Sequence, residues 1–191
     1  MSRIQILRRK IDKKTLVTYL LFILFFVFIN FYLQPLIKKE YLPIEIKRFD
    51  ENISWKIYVV ICSSILLSIL IFKAKTLQSK GEAILGFLFI VIFSFFFFTK
   101  IITNISLYIN QLLIKGKEKE VFVVHVESLE NKKYMHLSGN KNFINDSDHK
   151  NLGKIDEIRN KNGLKPLNEI YNRDTINIVF RKGLFGFKYL K

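Results

Sequence analysis

Residues 83–99 read AILGFLFIVIFSFFFFT, a stretch without a charge. Wound at 3.6 residues per turn or laid out with alternating faces, it is apolar on every side. Such a segment lies in a protein core or in lipid. The run continues to Ile114, broken only by Lys100. As one helix, residues 83–114 would be about 48 Å long, more than a hydrocarbon core. A crossing is therefore expected over residues 83–102. Lys100 would then sit at the bilayer edge, where a long basic side chain reaches water cheaply. Residues 103–114 read as an amphipathic extension. Ile102, Ile105, Ile109, Leu112 and Leu113 fall on one side, and Thr103, Ser106 and Asn110 on the other. Its apolar side would lie on the membrane or on the terminal domain.

Two more runs precede it. Residues 15–37, between Lys14 and Lys38, hold no charge and are long enough to span. Asn30 and Gln34 are their polar members, and Pro35 stands near the end, where a break costs little. A basic start (Arg3, Arg8, Arg9, Lys10, Lys13, Lys14) would suit a signal peptide. The apolar stretch is too long for one, and no small-residue cleavage site follows, so an uncleaved anchor is expected. The second run, residues 55–73, is short. Trp55 and Tyr58 read as interfacial, Lys56 and Lys73 as snorkelling anchors, and Ser63, Ser64 and Ser68 as a helix–helix contact. Lys and Arg number six in residues 1–14, three in residues 73–82, and five over the longer connection 38–56. That density puts the N-terminus in the cytoplasm of a cell (inner) membrane and residues 117–191 on the far side.

The chain has 191 residues, 19 of them Phe, and a net charge of +15. Such a charge would suit nucleic acid or anionic lipid. Here the cations are scattered through every segment rather than gathered on a recognisable nucleic-acid module, and no nucleic-acid partner is expected. The single cysteine, Cys62, lies inside an apolar run, so no internal disulfide staples the terminal domain.

After Lys117 the pattern changes to strands. Residues 121–127 and 133–137 read as a hairpin around Leu129–Lys132. Ser128 would face Lys133, Val126 would face Met135, and Val124 would face Leu137. Phe122, Val124, Val126, Met135 and Leu137 then share a buried face. A second hairpin is expected around Lys182-Gly183. It would pair Phe180 with Phe185, Ile178 with Phe187, and Ile176 with Tyr189. Between them, Asn145–Asp148 form a loop with an N-cap, and a short helix runs over about residues 150–162. The expected fold is thus a membrane α-helical region of about three transmembrane helices. A small C-terminal α+β domain follows, mainly antiparallel hairpins with one helix.

His125 and His136 face each other across the first hairpin, with Glu127 and Tyr134 alongside. Two imidazoles can start a zinc site if further ligands converge, and Asp146, Asp148 and His149 could supply them from the loop. The simpler reading is a solvated sheet face and a capping loop, with no metal and no cofactor. No Walker A, G-x-S-x-G or H-E-x-x-H motif occurs, and Gly183-x-x-Gly186 sits in a hairpin rather than at a helix start. Catalysis is not expected.

The expected function is a membrane-anchored binding or accessory protein. Its terminal module would contact a protein partner at the lipid surface, or a second copy of the chain, and an immunity-like role against a secreted toxin is one form this would take. Trp55, Lys56, Lys73, Lys100, Arg181 and Lys188 are the interface candidates. The rivals are a metal-binding enzyme or sensor built on His125 and His136, and an oligomeric channel or transporter subunit.

Overall fold

The computed structural model describes residues 13–73, 80–129 and 132–191. The basic N-terminus through Asp12, most of the connection from Lys73 to Glu82, and the hairpin tip Glu130-Asn131 lie outside the described residues. So do the side chains of Lys73, Lys80, Ala83, Ser128, Leu129, Lys132 and Lys133.

Among the described residues, six α-helices precede or flank the sheet: α1 (Lys13–Phe28), α2 (Gln34–Glu40), α3 (Pro43–Phe49), α4 (Trp55–Lys73), α5 (Lys80–Asn110) and α6 (His149–Lys161). The first five form three long rods, Lys13–Glu40, Pro43–Phe72 and Ile84–Asn110, each long and apolar enough to cross a membrane. Only 11, 6 and 11 % of their most apolar windows is buried, so their Phe- and Leu-covered surfaces need lipid as solvent.

Two of the rods bend through π turns. The turn Ile29–Leu33 joins α1 to α2 and carries the helix past Pro35, which sits in the first turn of α2. The widened turn absorbs the missing N–H, so the rod does not stop where the sequence placed a break. The turn Asp50–Ser54 joins α3 to α4 in the same way.

The segment 38–56, read from sequence as a connection, is mostly helical. Its only interruption is Tyr41-Leu42, both extended. Pro43 explains the break, because it pushes the residue before it out of the helical region and itself starts the next helix. The result is a tight helical hairpin, α2–α3, capping one end of the bundle.

Five antiparallel strands follow: β1 (Gly116–Leu129), β2 (Lys132–Gly139), β3 (Phe143–Ile144), β4 (Thr175–Lys182) and β5 (Lys188–Leu190), in the order β3-β2-β1-β4-β5. The first hairpin has the expected register, with Val124 opposite Leu137, Val126 opposite Met135 and Ser128 opposite Lys133. Its apolar face packs with Ile155 of α6 and with Phe180. The 3-10 turn Asp146–Asp148, which leads into α6, is held by a reciprocal capping box between Asn145 and Asp148.

The second hairpin differs from the expectation. Phe180 pairs with Leu190, Arg181 with Tyr189, and Lys182 with Lys188, around a loop of residues 183–187. The sum of partner numbers changes parity, so Tyr189 moves to the opposite face and Leu190 takes its place in the sheet core. Gly186 holds the loop at φ +83°, a backbone state open to glycine.

That reversal interlocks two cores. Leu42, from the helical hairpin, is buried in the sheet core with Phe122, Val124 and Phe180. Phe187 and Tyr189, from the sheet, are buried with Ile37, Tyr41, Phe49 and Leu107 of the helices. The α2–α3 hairpin and the sheet domain therefore form one polar head at one end of the three rods.

The end of α5 also departs from the amphipathic reading. Thr103, Asn104, Ser106 and Asn110 are buried, whereas Leu112 and Leu113 are 64 and 59 % exposed. The polar side chains face protein, Leu107 and part of Ile105 join them in the helical core, and Ile109, Leu112 and Leu113 turn outward. Within the bundle, Tyr58 is buried rather than interfacial. Its hydroxyl donates to Val91 O of α5 at 2.6 Å. Ser64 and Ser68 are exposed and bond back to Val60 O and Ser64 O of their own helix, so they make no helix–helix contact.

Candidate functional site

Two regions of the head carry candidate chemistry. The first is a buried polar seam between the helices and the sheet. Asn110, fully buried, donates from Nδ2 to Tyr41 Oη (2.8 Å) and Phe187 O (3.1 Å), and its Oδ1 accepts from Phe185 N (2.7 Å). Its backbone oxygen accepts from Leu184 N at 2.9 Å. A Cβ on Gly183 would overlap Asn110, so glycine is required for this approach. Tyr41 Oη donates to Leu107 O (2.8 Å), and burial pushes its pKa up. From the other side, Asn151 Nδ2 reaches Lys38 O, Lys39 O and Tyr41 O, satisfying the carbonyls left free at the end of α2.

Ion pairs extend the seam. Lys188 Nζ bonds Glu118 Oε1 (2.9 Å) and also pairs with Glu120, and Lys182 Nζ bonds Glu118 Oε2 (2.6 Å). Burial opposes the charge on Lys188, but the two carboxylates prevail and raise its pKa. Hydrogen bonds from Lys182 and Lys188 hold the Glu118 carboxyl down to about 2. On α6, Lys161, Lys39 and Lys154 hold Glu157 down to about 2, and the Lys39–Glu157 pair (3.1 Å) ties α2 to the head.

A pH dependence follows. Both groups lie below the usual 4.5, so their contribution is complete above about pH 4.5 and is lost as the pH falls toward 2. Amide exchange across β1 and β4 is expected to speed up from pH 5 to pH 3, after correction for intrinsic rates. Glu118→Gln should remove part of that change. An unaltered pH profile in the variant would refute the assignment.

The second region is a cleft of about 580 Å³ between the α2–α3 hairpin, α5 and the start of α6. Gln34 and Lys38 line it from α2, Lys47 and Asp50 from α3 and its π turn, and Lys100, Thr103 and Asn104 from α5. Asp148, His149 and Lys150 close it from the head. Thr103 Oγ1 donates to Asp50 Oδ1 at 2.7 Å and lies 2.7 Å from Ser54 Oγ, so this carboxylate is already served by the protein. Asp148 Oδ2 accepts from Asn145 N.

The residues singled out from sequence are dispersed. Lys100 lines the cleft. Lys188, expected at an outer interface, is turned inward with a side chain only 11 % exposed, because β5 is shifted relative to the expected pairing. Trp55 is exposed, its Nε1 donates to Glu51 O (2.9 Å), and Lys56 lies 5.6 Å over its ring. Arg181 pairs with Tyr189 in register at the sheet edge nearest the helices. Lys73 ends α4.

His125 and His136 stack with centroids 4.8 Å apart and rings 12° from parallel, and Phe143 lies 5.3 Å from His136. His149 is elsewhere, in the cleft, with Nδ1 3.2 Å from Ser147 O. Among the described residues, no group of three His, Cys, Asp or Glu side chains could hold a metal. The structure therefore does not assemble the ligand set that the histidines and the Asp146–His149 loop offered.

Asn104, Asn110 and Asn151 were not picked out from sequence as site residues. Their signal is polarity where the flanking pattern is apolar or helical, which marks a buried amide only once the neighbouring elements are known. In comparisons with known proteins the chain matches no family, no curated protein and no solved structure. What the fold and the site define is a class: a three-rod membrane protein carrying an interlocked α+β head.

Proposed function

We propose that this chain is a membrane-anchored binding protein whose head presents the outer face of its sheet to a protein partner at the lipid surface. The observation that supports this reading is the interlocking of the two cores through Leu42, Phe187 and Tyr189. A head joined in this way is held in one orientation, not tethered on a linker, so its outer face is pre-positioned. Val179, Val121, Val123, His125, His136 and Phe143 lie on that face. Val121, Phe143 and Val179 are exposed, and Lys117 and Lys119 flank them. An apolar strip rimmed by cations is the composition of a partner site more than of a solvated face.

The partner is another membrane protein, a second copy of the chain, or a secreted protein blocked at the membrane. The N-terminus is placed in the cytoplasm and the head outside the cell (inner) membrane, following the density of basic residues at residues 1–14. No catalytic step is assigned. A photo-crosslinking residue at position 121 or 143 is expected to yield a discrete protein adduct in native membranes. The same residue at Glu157, on α6, should not. Absence of any adduct specific to positions 121 and 143 would refute the proposal.

A further inference from the structure

The cleft between the α2–α3 hairpin, α5 and α6 offers a ligand site that the partner reading does not use. Its depth is set by α5. Residues 84–99 have no charge, and Lys100 is the first cation after them. Lys100 lines the cleft, so the cleft opens at the level where lipid headgroups begin. Its far wall is the start of α6, where the positive end of the helix dipole favours an anion.

The charges in the cleft are unevenly served. Four lysines (Lys38, Lys47, Lys100, Lys150) line it against two aspartates, Asp50 and Asp148. Both aspartates already accept hydrogen bonds from the protein. Lys47 pairs with Glu51 at 3.7 Å. Among the described residues, Lys38, Lys100 and Lys150 have no hydrogen-bond or ion-pair partner for their ammonium groups. Asn104 is the second, independent sign. It is 8 % exposed and lines the cleft, and its side-chain amide has no hydrogen-bond partner among the described residues. A nearly buried amide that lines a cleft and has no partner is a donor awaiting an acceptor.

We propose that this cleft binds a phosphate-bearing group, and that its source is the headgroup of an anionic membrane lipid. Lys38, Lys100 and Lys150 supply the counter-charge, and the Asn104 amide supplies an oriented hydrogen bond. The volume of about 580 Å³ accommodates a glycerophosphate headgroup, and the apolar flanks of the rods accept the chains.

The test uses the purified full-length chain in neutral detergent, with lipid retention read by native mass spectrometry. One phosphatidylglycerol per chain is expected to be retained, at least tenfold in preference to phosphatidylcholine. Lys100→Gln, and separately the pair Lys38→Gln with Lys150→Gln, should each cut retention several-fold. Lys165→Gln, at an exposed cation outside the cleft, should leave it unchanged. The surface pair keeps the test decisive if Lys100→Gln fails to fold. Equal retention of the two lipids, or equal loss in Lys165→Gln, would overturn the proposal. Displacement of the lipid by millimolar inorganic phosphate or glycerol phosphate would overturn the lipid source and leave a soluble phosphate as the ligand. None of these outcomes depends on the crosslinking at positions 121 and 143.

Discussion

Replacing Asn110 by Ala is expected to loosen the head from the helices by about 3–5 kcal/mol. The side chain makes three hydrogen bonds at a fully buried position. Truncation strands the Phe185 N–H and takes the amide donor from Tyr41 Oη and from the Phe187 carbonyl, which keeps its bond from Gly183 N. Each buried group left unsatisfied costs roughly 1–3 kcal/mol. Tyr41 keeps its bond to Leu107 O, which limits the loss there. The measurement is native-state amide exchange. Amides of residues 184–187 and 188–190 should exchange some hundredfold faster or more, while β2, remote from the seam, changes little. Uniform acceleration over the whole head would mean that Asn110 supports global stability and not docking.

Leu42→Ala is expected to cost a further 2–4 kcal/mol by a different route. Leu42 is 1 % exposed and belongs to the sheet core although it lies between α2 and α3. Deleting it removes buried apolar surface and leaves a cavity, for which about 2–5 kcal/mol is usual. Its place in the Tyr41-Leu42-Pro43 turn restrains local collapse, because Pro43 fixes the backbone that would have to move. Guanidinium titration in detergent, followed by the fluorescence of Trp55, the one tryptophan, reads the loss. Leu42→Met, near in volume, should cost less than about 1.5 kcal/mol. Equal effects of Ala and Met would contradict burial in the sheet core.

These two residues also mark where the sequence was legible and where it was not. The rods were plain from their length and lack of charge. The first hairpin was readable because only one of its faces is uniformly apolar, so a single register buries Val124, Val126, Met135 and Leu137. The second hairpin offered two. Phe185, Phe187 and Tyr189 form one apolar set, and Leu184 and Leu190 the other. Alternation alone assumes one core, whereas β5 lies between two. Tyr189 serves the helices and Leu190 the sheet, a division visible only when α2, α3 and α5 are in place.

The α2–α3 hairpin escaped for a related reason. Its charges (Lys38, Lys39, Glu45, Lys47, Arg48) made it look like a loop between spans. The same charges form helical pairs, Arg48 with Glu45 and Lys47 with Glu51, and Leu42-Pro43 supplies the break. The cleft was even less accessible to reading. Lys100 looks like an edge anchor until the start of α6, some fifty residues on, is brought over it. The histidines show the opposite failure. His125 and His136 do meet, as the register required, but no third donor joins them among the described residues.

The fold requires three rods in lipid with the α2–α3 hairpin and the sheet domain on the same side. Single cysteines placed in a Cys62→Ser background and labelled in intact vesicles with a membrane-impermeant maleimide test it directly. Cysteines at Glu51 and Lys141 should label from the same side, one at Gly81 only from the other, and ones at Ile23 and Phe89 only after the membrane is dissolved. Opposite-side labelling at Glu51 and Lys141, or ready labelling at Ile23 and Phe89 in sealed vesicles, would contradict it.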